Sequence, residues 1–159
     1  MKEAQYAVPP PKARVEEDVR QMMVEKSDNL KEGTYTLHPW YCTDVKCDCR
    51  LVKIAIMRDF THHVATVQFG WESARFYSEW MGVPKDDPMV QDMAAGATLD
   101  MTSPAVHPDI MQVFNGAMND EWLRRIKRNY EAVKAYQKKV YGQQAWRRPR
   151  KARVKRIGR

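Results

Sequence analysis

The sequence predicts an α+β fold: a small antiparallel sheet of two or three strands packed against about five helices. Three observations lead there. Residues 51–69 hold two apolar runs of strand length with a short polar turn between them. From Gly70 to Tyr141 apolar residues recur at helical spacing, cut by Gly, Pro, Asn and Asp punctuation. The order is then helix, small sheet, four helices, with the two classes segregated along the chain.

The elements follow in order. Pro9, Pro10 and Pro11 forbid a helix or a sheet centre, so Met1 to Lys12 reads as an extended Pro-rich arm. A helix is expected from Ala13 to Leu30. Its first turns carry Glu16, Glu17 and Asp18, favourable near a positive helix end, and Val15, Val19, Met22 and Met23 form its apolar stripe. Gly33 would stop it. Thr34 to Trp40 alternates as a strand until Pro39 and the cysteines break it. Leu51 to Met57 is apolar on both faces except at Lys53, as in a central strand. His63 to Phe69 alternates, with His63, Ala65, Val67 and Phe69 on one face. These two runs form a hairpin, with the Thr34 strand as a third member.

Four helices complete the series. Trp71 to Met81 ends at Gly82 and Pro84. Asp87 caps a helix with Pro88 at its first position, and Gly96 ends it. His107-Pro108 opens a third that runs to about Met118. Asn119 or Asp120 caps the longest, Glu121 to Tyr141, and Gly142 closes it. One domain is therefore expected from Ala13 to Gly142, followed by a disordered basic tail from Gln143 to Arg159.

At 159 residues the chain suits one domain with tails, and 43% apolar with 30% charged residues is ordinary for a globular protein. No apolar run approaches the ~18 residues of a membrane span. Met1 to Val8 has no apolar core of a secretory signal, which makes the cytoplasm the expected compartment.

All three cysteines fall within eight residues, as Cys42, Cys47 and Cys49 in the string H-P-W-Y-C-T-D-V-K-C-D-C. In a reducing compartment such clustering favours metal over disulfide. Zinc takes four soft or borderline ligands in a tetrahedron, and a tight loop between strands brings closely spaced ligands together at little entropic cost. A structural zinc knuckle of His38, Cys42, Cys47 and Cys49 follows. His62, His63, His107 and Asp48 are the alternatives to His38. The spacing differs from the common C-x2-C pair, so three reduced thiols without metal, or a redox pair, are the competing readings. A C-x-C disulfide would be strained.

Charge is unevenly placed. From Glu121 to Arg159 there are 15 Lys/Arg against two acids; from Met1 to Asp120 there are 12 against 18. The total of +7 hides a mildly acidic body joined to a strongly basic end. On a helical wheel, Trp122, Leu123, Ile126, Tyr130, Val133, Val140 and Tyr141 fall on one arc. Arg124, Lys127, Arg128, Lys134, Lys138 and Lys139 fall on the other. Beyond them come Trp146, Arg147, Arg148, Arg150, Lys151, Arg153, Lys155, Arg156 and Arg159. Arginine grips phosphate with two donors and stacks on bases, and Trp146 offers a stacking surface.

The expected function is therefore nucleic-acid binding without catalysis. RNA is favoured over DNA, because the basic segment is Arg-rich and unstructured. In outline the chain is similar to many ribosomal proteins, a compact domain with a basic extension, and a place in a ribosome or other ribonucleoprotein is the corresponding expectation. That likeness is one of style and identifies no family. The alternative is an adaptor that binds a protein through the aromatic helix face of Phe76, Tyr77, Trp80 and Met81, with a secondary polyanion-binding tail. No nucleophile elbow, phosphate loop, dinucleotide fingerprint or deaminase signature is present. The His62-His63 pair with Asp59 reads as turn chemistry.

Overall fold

The computed structural model describes residues 6, 7, 9, 17–26, 29–100 and 109–145, with side chains through residue 141. Among these described residues the frame is one antiparallel sheet of six strands with four helices, larger in strands and smaller in helices than the sequence predicts. The strands are β1 (Tyr6–Ala7), β2 (Arg20–Val24), β3 (Gly33–Cys42), β4 (Leu51–Arg58), β5 (His62–Gly70) and β6 (Ala97–Leu99). The helices are α1 (Ala74–Met81), α2 (Pro88–Ala94), α3 (Ile110–Ala117) and α4 (Asp120–Ala145). The main path runs β1-β3-β4-β5-β6, and β2 shares the outer edge of β3 with β1.

The hairpin forms as its alternation requires, with Val52 opposite Phe69 and Ile54 opposite Val67. The expected helix over 13–30 does not form where it is described. Arg20–Val24 is instead a strand, pairing Arg20 with Leu37 through Val24 with Gly33. Its residues alternate: Arg20, Met22 and Val24 are half-buried, while Gln21 and Met23 are exposed. An open edge on β3 offers a full row of backbone partners, and that outweighs a weak helical stripe. Met22 reaches α3, where a Cβ on Gly116 would stand 2.8 Å from its methyl carbon.

Pro39 does not end β3. It pairs with Ile54 on one side, while on the other edge β2 covers only residues 33–37 and β1 only 41–42. The missing N–H thus falls in a gap between two edge strands, where proline is tolerated.

Several helix boundaries follow the predicted caps. The start of α1 does not: it opens at Ala74 rather than Trp71, where Ser73 Oγ accepts from Phe76 N, while Gly82 ends it as expected, in the left-handed region at φ 70°. Asp87 and Pro88 open α2. Asn119 Oδ1 accepts from Trp122 N at 2.8 Å and opens α4. Gly142 does not close α4, which runs on to Ala145, so the first three residues of the expected disordered tail are helical. The aromatic face of α1 divides: Tyr77 is buried, and Trp80 is exposed. Residues 10–16, the His107-Pro108 start and residues 146–159 lie outside the described residues.

The core lies on one face of the sheet. Tyr35, Leu37, Tyr41, Val52, Ile54, Ile56, Ala65 and Val67 share it and meet Ile110, Val113, Phe114, Trp122, Ile126, Tyr130 and Val133 from α3 and α4. The end of α4 thereby lies across the loop between β3 and β4, which holds the cysteines.

Candidate metal centre

Residues 43–50 join two core strands, so both loop ends are fixed. Cys42 closes β3 and Cys49 stands two residues before β4. Inside the loop, Lys46 N donates to Asp44 Oδ1 at 2.9 Å and Cys47 N to Asp44 O at 3.2 Å, which turns Cys47 back on Cys42. Arg50 sits at φ 49°, a left-handed conformation costing about 1 kcal/mol for a side-chain-bearing residue. It is over-determined from two sides. Arg50 N donates to Tyr130 Oη at 3.1 Å, and Tyr77 Oη donates to Arg50 O at 3.1 Å.

This geometry brings the sulfurs of Cys42, Cys47 and Cys49 within 4.8 Å of one another, close enough to hold a metal ion. Cys42 and Cys49 are buried, Cys47 is half-buried, and none is in a disulfide. A tetrahedral zinc bound at ~2.3 Å needs sulfurs about 3.8 Å apart, so the donor set fits in type and spacing.

Of the predicted ligands, the three cysteines converge and His38 does not join them among the described residues. His38 Nε2 is instead bonded to Thr36 Oγ1 at 2.9 Å, farther along β3 from Cys42. His62 and His63 pair with Arg58 and Met57, at the opposite end of β4 from Cys49. The six or seven steps of β4 between Leu51 and those partners span roughly 20–23 Å at ~3.3 Å per residue. The Asp48 carboxylate accepts from Tyr130 Oη and pairs with Arg50. His107 lies outside the described residues.

Two neighbours were not foreseen. Tyr6 pairs with Cys42 across the β1–β3 ladder, and its Oη lies 3.8 Å from Cys49 Sγ. A two-residue strand gives no periodic signal, so nothing in the sequence announces it. Lys134 is the other. The wheel places it with the solvent-facing bases, yet it is 5% exposed and donates to Asp44 O at 2.8 Å. Buried Tyr130, four residues earlier on the same face, was the available signal.

The three thiols are electrostatically unequal. A hydrogen bond from Cys49 pulls Cys42 down to about 5, helped by the Asp44 backbone and Lys134 against the cost of burial. Cys49 is pushed up, chiefly because its proton is engaged by Cys42 and then by burial. Cys47 is raised by burial and by the Cys42 charge. Ligation needs the deprotonated form, so a thiol held low beside two others favours capture of a thiophilic cation.

The predicted basic surface is partly assembled. Arg124, Arg128, Lys138 and Lys139 are exposed along one ridge of α4, with Lys127 half-buried at its edge and Lys134 turned inward. Tyr141, expected on the apolar arc, is 51% exposed. The predicted contacts from Trp146 to Arg159 lie outside the described residues. No protein-family model, curated protein or solved structure matches the chain. No described helix is long and apolar enough to cross a membrane.

Proposed function

We propose that this chain is a non-enzymatic nucleic-acid-binding protein, with RNA the favoured ligand, whose basic helix α4 is fixed by a structural zinc centre. The observation that carries the reading is the ridge of Arg124, Arg128, Lys138 and Lys139, exposed on a helix whose other face is docked. The ridge leads directly into a sequence in which eight of the last 13 residues are Lys or Arg. A rigid basic face continued by an arginine-rich segment suits a phosphate backbone: the first positions, the second follows the strand. Zinc is the reading for the cysteines because three thiolates favour it among abundant divalent ions.

Truncation after Ala145 is the test. Binding of a single-stranded RNA should weaken, and the slope of log affinity against log salt should fall by up to ~0.7 per lost phosphate contact. Unchanged affinity and slope would overturn the RNA reading, and a nuclease-insensitive protein partner recovered from cells would replace it with the adaptor. Purified protein should carry one zinc per chain by elemental analysis; a metal-free chain of equal stability overturns the zinc.

A further inference from the structure

Lys134 poses a question that the basic ridge does not answer. Its neighbours in sequence, Lys138 and Lys139, reach solvent, and its own long stem could do the same. Instead its ammonium is held inside, over the Tyr130 ring at 5.5 Å and bonded to Asp44 O. Among the described residues it makes no ion pair with a carboxylate. A buried ammonium is best served by an anion, and one carbonyl dipole is a weaker partner than an anion would be.

The anion available is sulfur. Lys134 Nζ bonds Asp44 O within the cysteine loop, two residues from Cys42, and Gln137, nearly one turn on, bonds the Cys42 carbonyl itself, so the ammonium is held beside the three-cysteine cluster. Counting charge selects among metals. Three thiolates around a divalent cation leave one negative charge, which one lysine cancels. A monovalent cation, or a fourth thiolate or phenolate on a divalent one, leaves a second charge that Lys134 alone does not cancel.

We propose that Lys134 is the built-in counter-cation of the Cys42–Cys47–Cys49 centre, which takes a divalent thiophilic ion with a neutral fourth ligand. Lys134 is thus a positioning and charge-balancing residue and not itself a ligand. The proposal rests on the metal reading above, and its failure is separable from that reading. Wild-type protein that binds no metal defeats both, whereas wild-type protein that binds metal with Lys134 irrelevant defeats only this one.

The experiment compares three variants of the full chain. Lys134→Gln keeps a donor for Asp44 O and removes the charge. Lys134→Met keeps the stem against Tyr130, and Lys134→Arg keeps the charge. Affinity for Zn2+ and for Cd2+, measured by competition with a chromophoric chelator, should fall roughly 10- to 100-fold in the Gln and Met variants, as for other groups that support metal ligands from outside. It should stay near wild type in the Arg variant. The thiolate-to-metal charge-transfer band of the Co2+ form should keep its intensity throughout, because all three sulfurs still bind. For any variant unfolded without metal, the rate of zinc loss from loaded protein to excess chelator gives the same comparison. Wild-type affinity in the Gln and Met variants overturns the proposal. So does an equal loss in all three, which would assign Lys134 to packing alone.

Discussion

The two halves of α4 are anchored in different ways. The first half docks on Asp18, a buried carboxylate just ahead of β2. Trp122 Nε1 donates to Asp18 O at 2.6 Å, Asn129 Nδ2 donates to Asp18 Oδ2 at 2.8 Å, and Tyr41 Oη donates to the same carboxylate. The second half docks on the cysteine loop. Tyr130 Oη bridges Arg50 N and Asp48, Lys134 Nζ reaches Asp44 O, and Gln137 Nε2 donates to Cys42 O at 3.2 Å. At both anchors the protein supplies donor and acceptor alike. The first engages a segment just ahead of a strand, whereas the second engages a loop that also gathers three sulfurs able to hold a metal ion.

Removing the metal should break this comparison most visibly. If zinc is bound with free metal a thousandfold above the dissociation constant, its loss costs about 4 kcal/mol of stability. The loss should be local first. Amides of 42–50 and 130–141 should exchange faster after chelation, while those of 120–129, held at Asp18, keep their protection. Cys47→Ser should reproduce the pattern. Uniform loss of protection along α4 would mean that the two anchors are one cooperative unit.

Asp18 tests the other end. Asp18→Ala leaves the Tyr41 hydroxyl and the Asn129 amide without their acceptor, an expected cost of about 3 kcal/mol in chemical denaturation. Metal affinity should stay at the wild-type level. Burial raises the Asp18 carboxyl above its ordinary 3.8, against the pull of the Tyr41 and Asn129 hydrogen bonds. The folded state therefore holds the Asp18 proton more tightly than the unfolded chain does. That contribution is fully present below the unfolded value and is lost as pH rises through the folded one. Relative to wild type, Asp18→Asn should gain stability as pH rises from 4 to 7. A constant difference across that range would show that Asp18 titrates alike in both states.

What the sequence revealed and what it concealed divide along the same line between local and distant causes. The β4–β5 hairpin was legible because alternation and a short turn are local, and the end of α1 and the start of α2 because Gly82, Asp87 and Pro88 act within a few residues. The three cysteines were legible for the same reason. The strand at β2 was not: Val19, Met22 and Met23 suit a helical stripe, and only the open edge of β3, nine or more residues away, makes a strand of Arg20–Val24. Tyr6 beside Cys49 and Lys134 beside Asp44 depend on contacts 43 and 90 residues apart, which no local pattern encodes.

The smallest effect on stability should come from the exposed ridge, and that smallness makes it useful. Lys138 and Lys139 are exposed and lie on the same helix as buried Lys134. Replacing both by Glu should change stability by no more than about 0.5 kcal/mol, as for surface sites away from caps and networks. Zinc affinity should change far less than in Lys134→Gln, because a charge exposed to water and salt acts on a buried centre only weakly. If the ridge meets a phosphate backbone, however, two contacts are lost, and the salt slope for single-stranded RNA should shrink by about 1.4. The double substitution and Lys134→Gln then form a crossed pair. One should alter polyanion binding and leave the metal nearly untouched, and the other should alter the metal. An effect of Lys138→Glu with Lys139→Glu on zinc affinity as large as that of Lys134→Gln would show that position along α4 matters less than summed charge. The distinction between its inward and outward lysines would then collapse.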